Sequence, residues 1–124
     1  MKKENSLGSK LALLAIGLGL GGPVGAHHSF AMFDMNKTVT LQGVVRKVEY
    51  RNPHVYLFVE VGESTSAKVW AIEARSVALM NRAGWKINTI KPGDVVTVTA
   101  RPIRDGTPAG LLSNVTLANG TVIK

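Results

Sequence analysis

The chain has 124 residues, a formal net charge of +7 and no cysteine. The absence of cysteine excludes disulfides, thiolate metal ligands and cysteine-based catalysis. The length allows one small domain with one hydrophobic core. The basic residues are scattered along the chain, so the charge indicates solubility more than a polyanionic partner.

The N-terminal segment has the pattern of a secretory signal peptide. Three lysines come before the apolar run Leu11–Leu20, and a Gly/Pro break leads to Val24 and Ala26, small residues at the positions that a signal peptidase reads. The run is about ten residues, whereas about 20 are needed to cross a bilayer, so the chain is not expected to be an integral membrane protein. We predict that residues 1–26 are removed after Ala26, leaving a periplasmic or secreted protein.

The next segment, residues 27–36, is expected to form an N-terminal arm, followed by one β-rich domain over residues 37–124. Valine and threonine are abundant from Lys37 to Tyr50, which predicts a long first strand. Its apolar phase slips at Gly43, and this predicts a β-bulge that curves the sheet.

After a break at Arg51-Asn52-Pro53, strict alternation over His54–Val61 predicts a second strand. Its valines and leucine share one face, and Tyr56, Phe58 and Glu60 share the other. The remaining predicted elements are a strand at Ala67–Ala74, a helix at Val77–Ala83 capped by Ser76 and ended by Gly84, a turn at Lys91–Asp94, strands at Val95–Arg101 and Leu111–Leu117, and an Asn119-Gly120 hairpin returning through Thr121–Ile123.

The predicted element order is three strands, a short helix and two further strands, without repeats. This is the element order of an OB-fold, a five-stranded Greek-key barrel. We therefore predict a mostly β, OB-like barrel with one helix between strands 3 and 4. A split β-sandwich is the alternative.

All three histidines lie in two short motifs, His27-His28 at the predicted mature terminus and His54 after Asn52-Pro53. An N-terminal histidine offers its free amine and its ring nitrogen to one metal ion, and a second imidazole completes a set of three nitrogens. Such a set suits copper(II). The first hypothesis is therefore a small copper-binding protein with His27 as anchor and either His28 or His54 as the distal ligand. The simpler alternatives are a disordered polar terminus and a histidine that only bonds to its own turn.

The second hypothesis is an OB-type interaction module in the cell envelope that binds a peptide, glycan or protein partner without metal. OB barrels bind ligands across strands 2 and 3, where Tyr56, Phe58 and Trp70 lie. Aromatic residues make up only 6% of the chain, and export removes most nucleic-acid partners. We therefore expect these aromatics in the core and no nucleic acid as partner, with Glu73 at the rim beside an arginine. The candidates for a basic rim are Arg51, Lys68, Arg101 and Arg104.

Catalytic motifs are not evident in the sequence. Ser29 has no convincing base and acid partners for a hydrolase triad, and no two carboxylates are placed by local spacing for acid–base work. The sequence thus favours a binding protein over an enzyme.

Several motifs together resemble a bacterial family of short exported proteins that is a domain of unknown function. They are His27-His28-Ser29-Phe30, Gly43-Val44-Val45, Asn52-Pro53-His54, Trp70-x-x-Glu73, Gly84-Trp85, Lys91-Pro92-Gly93-Asp94 and Asn119-Gly120. The resemblance covers the whole predicted mature chain and implies export and a small β-barrel, without an activity to carry over. The predicted terminal histidine is also similar, by its chemistry alone, to the histidine brace of copper-binding proteins and copper polysaccharide monooxygenases. The chain lacks the size and the sandwich of those oxygenases, which argues against oxidative catalysis.

Overall fold

The computed structural model describes residues 30–124; the predicted signal peptide, His27 and His28 lie outside this range. The described part contains six strands, one α-helix and two short 3-10 helices. They are a 3-10 helix at Phe30–Met32, β1 (Val39–Glu49), β2 (Tyr56–Val61), a 3-10 helix at Ser64–Ser66, β3 (Lys68–Glu73), α1 (Val77–Arg82), β4 (Val95–Pro102), β5 (Ala109–Leu117) and β6 (Val122–Ile123). Within residues 30–124, no helix is long and apolar enough to cross a membrane.

The strands form one sheet in the order β3-β2-β1-β4-β5-β6. Neighbours in this order run antiparallel, and β3 also pairs in parallel with β5 through Ala71–Glu73 and Ala109–Leu111. This last pairing closes β1 to β5 into a barrel, so that the sheet has no open edge there. The prediction of a five-stranded barrel with one helix between strands 3 and 4 is confirmed, and β6 adds a short sixth strand beside β5.

The core follows from the period-two alternation of the strands, because successive side chains point to opposite sheet faces. In β2, Leu57 and Val59 are fully buried, whereas Tyr56 and Phe58 lie on the outer face and are only half-buried. The other fully buried large side chains come from the remaining strands, from α1 and from the connections before β2 and β4: Val45, Val55, Ile72, Met80, Trp85, Ile90, Val96, Val98, Val115 and Ile123.

The helix has the ends that the sequence predicts. Ser76 Oγ accepts a bond from the Leu79 amide at 3.4 Å, and Asn52 Oδ1 accepts one from the Val77 amide at 3.0 Å. Gly84 follows the helix with a φ of +91°, the left-handed conformation that glycine adopts without steric cost. The Asn52 amide thus ties the β1–β2 connection to the start of α1.

Strand β1 changes partners along its length, because Val39–Val44 pairs with β4 and Val44–Glu49 pairs with β2. Its bulge lies between Val45 and Lys47, where the register with β2 shifts and Arg46 is the extra residue. The predicted position of the bulge, Gly43, is therefore wrong. Glycine occupies position 43 for a different reason, which is the close approach of the β2 backbone: a Cβ atom there would lie 2.2 Å from the Glu60 carbonyl oxygen.

Candidate functional site

The candidate site begins where the chain enters β2. The ladder between β2 and β3 continues one pair beyond the strand ends, since the Val55 amide donates to the Arg75 carbonyl at 2.9 Å and the Ala74 amide to the Val55 carbonyl at 2.8 Å. Val55 is fully buried. Its neighbours in sequence, His54 and Tyr56, therefore lie on the outer side of the barrel.

Glu73, the last residue of β3, lies opposite Tyr56 in the register. Its carboxylate is placed between two side chains of the β2 entry. Oε2 accepts a hydrogen bond from the Tyr56 hydroxyl at 3.0 Å, and Oε1 lies 3.3 Å from Nδ1 of His54. Burial, together with the hydrogen bond to Glu73, raises the pKa of Tyr56 to about 12. The phenol therefore stays protonated and donates to the carboxylate at any physiological pH.

Glu73 is only 8% exposed, and it is the only charged residue in the buried set of residues 30–124. The expectation of an exposed or rim glutamate beside an arginine is wrong, because its partners are a tyrosine and a histidine. A buried carboxylate is costly unless hydrogen-bonding groups surround it. The sequence offered one usable signal for this arrangement, the period-two spacing of His54 and Tyr56. It offered no signal for the register that places Glu73 against both.

The segment before β1 covers this part of the barrel. Phe33 is 3% exposed and forms an isolated bridge with Ile103 in the β4–β5 connection. Arg104 holds the same segment through its amide, which donates to the Met32 carbonyl at 3.0 Å, and through Nε, which donates to the Ala31 carbonyl at 3.1 Å. Phe30, in contrast, is 68% exposed. The segment Ala31–Phe33 is thus held against the β4–β5 connection, and the chain reaches the surface at Phe30.

A pocket of about 300 Å³ lies beside this segment. Phe30 and Phe33 form part of its wall, and His54 and Glu73 supply polar groups. A smaller pocket of about 140 Å³ shares Phe33 and Glu73 with it. Glu73 therefore lies between two cavities, and the larger one has the mix of apolar wall and few polar groups that is typical of ligand sites.

The structure places one of the three predicted metal ligands, His54, in this pocket. The other two, His27 and His28, lie outside the described residues. In the part of the chain that the structure describes, no three histidine or acidic side chains are close enough to hold a metal ion. His54 and Glu73 form only a pair.

The outer face of β2 also carries two stacked aromatic rings. Tyr56 and Phe58 have ring centroids 6.3 Å apart with an angle of 26° between the planes, and Lys47 Nζ lies 5.4 Å from the Phe58 centroid. The expected core role is therefore wrong for these two residues, which lie outside the barrel. Trp70 packs against the core and is partly buried.

Most of the cations near this face contact protein partners. Arg46 makes a two-point ion pair with Glu60, at 2.6 and 3.0 Å, and both Lys47 and Arg51 contact Glu49. Among the residues predicted to form the basic rim, Arg101 donates a hydrogen bond to Thr38 Oγ1 at 2.6 Å. Arg104 donates hydrogen bonds to the carbonyls of Ala31 and Met32. A surface that binds single-stranded nucleic acid combines stacking rings with unpaired positive charge. Most of the charges here are neutralised, whereas Lys68, the remaining residue of the predicted rim, is exposed at the start of β3.

The closed barrel and its single helix between β3 and β4 define a small OB-fold domain. The model of a family of unknown function (DUF6152) matches residues 17–114, and the chain belongs to this family. A search of curated proteins gives no match.

Solved structures similar to this chain include two crystal forms of Rim1, a mitochondrial single-stranded DNA binding protein from S. cerevisiae. Form 2 has a TM-score of 0.51 at 10% identity and covers 66% of this chain and 93% of its own. Form 1 has a TM-score of 0.52 at 11% identity, covering 66% and 92%. At this identity the likeness shows the fold alone, and it confirms the predicted OB-like barrel.

Proposed function

We propose that the protein is an exported OB-type binding module whose ligand is copper(II), held at the pocket beside His54. The observation that carries this proposal is that His54 and Phe30 line the same pocket, because Phe30 is only three residues after His27. The amine and ring of His27 would anchor the ion, and His54 would be the distal ligand. His28 is the alternative distal ligand.

Chain length supports a meeting of the two histidine motifs. One residue adds at most about 3.6 Å of chain, so the Cα atom of His27 lies within about 11 Å of that of Phe30. Phe30 is itself part of the wall to which His54 belongs. A chain of this length allows the amine and imidazole of His27 to reach the wall of the pocket and to approach the His54 ring.

The donor set supports copper(II) over other ions. Imidazole and amine nitrogens in a square-planar arrangement suit Cu²⁺, which also heads the affinity order of the divalent first-row metals. The terminal amine must lose a proton to bind, so affinity should rise as the pH approaches the usual amine pKa of about 8.

The proposal depends on cleavage after Ala26, because only then is the amine part of His27. Intact mass or N-terminal sequencing of the exported protein tests this step. A mature chain that starts at another residue would leave no amine–imidazole chelate and would overturn the anchor.

The distal ligand is tested by comparing His54→Ala with His28→Ala in the cleaved protein. We expect His54→Ala to weaken copper(II) binding by more than the roughly 10–100-fold that is typical of losing a residue that only hydrogen-bonds to a metal ligand. Met35→Leu is the control, since it removes an exposed thioether that does not line the pocket and should leave affinity unchanged. If only His28→Ala lowers the copper(II) affinity, His28 and not His54 is the distal ligand.

A second candidate is an interaction module without metal, and the stacked pair of Tyr56 and Phe58 is the observation that favours it. Aromatic rings on the strand 2–3 face of an OB barrel can pack against a sugar or a peptide side chain. Copper-free protein that retains an envelope glycan or peptide, and loses it on Tyr56→Ala or Phe58→Ala, would support this candidate.

A further inference from the structure

The carboxylate of Glu73 has an unusual position for a charged group. It ends β3 on the outer face of the barrel, where a carboxylate is normally solvated, yet it is 8% exposed. Phe33, in the segment before β1, and Ile103, in the β4–β5 connection, line the same small pocket as Glu73. The partners that the structure gives it, the Tyr56 hydroxyl and the His54 ring, both come from the entry to β2.

The two contacts fix the carboxylate on both of its oxygens. The Tyr56 hydroxyl is bound to Oε2, and His54 Nδ1 is next to Oε1. An ionised carboxylate accepts hydrogen bonds and donates none, so we infer that the His54 nitrogen beside it is the one that carries hydrogen. In a neutral imidazole with a proton on Nδ1, the lone pair is on Nε2.

We propose that Glu73 is the positioning residue for His54: it holds the ring in the Nδ1–H tautomer and thereby presents Nε2 as the ligating nitrogen. A carboxylate behind a ligating histidine fixes its tautomer and orientation and increases its basicity. Tyr56 in turn orients the carboxylate from the other side. The role toward copper rests on the proposed function, whereas the tautomer of His54 is a property of the metal-free protein.

The cross-strand register explains why the three side chains meet. Tyr56 and Glu73 are directly opposite each other in the β2–β3 ladder, and residues so placed have Cβ atoms about 5 Å apart. The bonds of Val55 with Arg75 and Ala74 extend this ladder to the residue next to His54. The position of His54 therefore depends on its attachment to the hydrogen-bonded backbone at the start of β2.

The tautomer can be measured without copper, by long-range ¹H–¹⁵N correlation of ¹⁵N-labelled, cleaved protein at a pH well above the usual histidine pKa of about 6.5. We expect His54 to be in the Nδ1–H form in the wild-type protein. In Glu73→Leu, which keeps a similar volume without an acceptor, it should revert toward the Nε2–H form that free histidine favours. Wild-type protein with His54 in the Nε2–H form would overturn the inference.

Copper(II) binding supplies the second measurement. Glu73→Leu should weaken affinity by about 10–100-fold and change the hyperfine pattern of the copper spectrum. Tyr56→Phe keeps the carboxylate beside His54 and should weaken affinity less, with the tautomer unchanged. If Glu73→Leu does not fold, Glu73→Ala is the second variant, and a His54 tautomer and copper affinity equal to those of the wild-type protein in that variant would overturn the role of Glu73.

The inference and the proposed function fail in different ways. Wild-type protein that binds copper, with the same tautomer and affinity in Glu73→Leu, would overturn the role of Glu73 and leave copper binding in place. Wild-type protein with the Nδ1–H tautomer and no copper binding would overturn the proposed ligand and support the positioning of His54.

Discussion

Substitution of Gly43 by alanine tests how the barrel is closed at β1. The glycine lies where β1 passes from β4 to β2. An added Cβ atom would lie 2.2 Å from the Glu60 carbonyl oxygen and 2.8 Å from Val59 Cγ1. The first of these atoms belongs to the backbone of β2, so a side-chain rotation cannot relieve the contact.

The size of the effect follows from this contact. Overpacking a tight site usually costs about 1–3 kcal/mol, and displacing strand backbone belongs at the upper end of that range. We expect Gly43→Ala to lower the free energy of unfolding by about 3 kcal/mol. Gly106→Ala is the control: Gly106 has a φ of +83°, but its Cβ atom would meet nothing within 4 Å, so only a conformational cost of about 1–2 kcal/mol applies.

Urea denaturation followed by tryptophan fluorescence gives both values, because Trp85 is fully buried and Trp70 is partly buried in the same core. The m-value should be unchanged, which would show that the variants differ in stability and not in the extent of unfolding. A loss for Gly43→Ala no larger than that for Gly106→Ala would refute the close approach of β1 and β2 at this point.

Three other variants test separate parts of the structure. Gly84→Val should cost at least about 1 kcal/mol in urea denaturation, because valine cannot easily adopt the +91° φ that ends α1; an unchanged midpoint would contradict this C-cap. Phe33→Ala should cost about 3 kcal/mol, since Phe33 is buried, and should speed hydrogen exchange at the Arg104 amide; unchanged exchange would contradict a docked segment. The hydrogen bond from Arg46 holds the pKa of Glu60 below its ordinary value. The pair therefore stabilises the folded protein at pH values above the pKa of Glu60 in the unfolded chain, and this contribution is lost as the pH falls through the lower pKa of Glu60 in the folded protein. In Arg46→Gln, a ¹³C-detected NMR titration should show the Glu60 pKa rising toward its ordinary value, and no change would mean that the pair is absent in solution.

Much of the fold could be predicted because β alternation is a local property. The division of β2 into a face with Leu57 and Val59 and a face with Tyr56 and Phe58, and the helix end at Gly84, were predicted from neighbouring residues alone, and the structure confirms them. The position of the bulge could not be predicted in this way. A glycine at which the apolar alternation slips gives the same sequence pattern whether it forms a bulge or allows a neighbouring strand to pack closely. Only the partner strand, through Glu60, distinguishes the two cases.

The candidate site was only partly predictable, and for a similar reason. His54 stood out because of its motif, but the burial of Glu73 depends on two contacts distant in sequence. One is the strand register that places Glu73 opposite Tyr56. The other is the position of Phe33, which lines the same small pocket as both residues. Neither is encoded in local periodicity, so a solvated carboxylate was the natural expectation for Glu73.

The central claim is that the amine of His27 is a copper ligand, and one added glycine tests it most directly. Two proteins are compared by competition titration and electron paramagnetic resonance, one beginning at His27 and one with a single glycine before His27. The extension preserves every side chain but moves the free amine one residue away from the ring. We expect the extended protein to bind copper(II) more weakly and to give a different spectrum. Equal affinities and identical spectra would contradict the account and place the interaction module first.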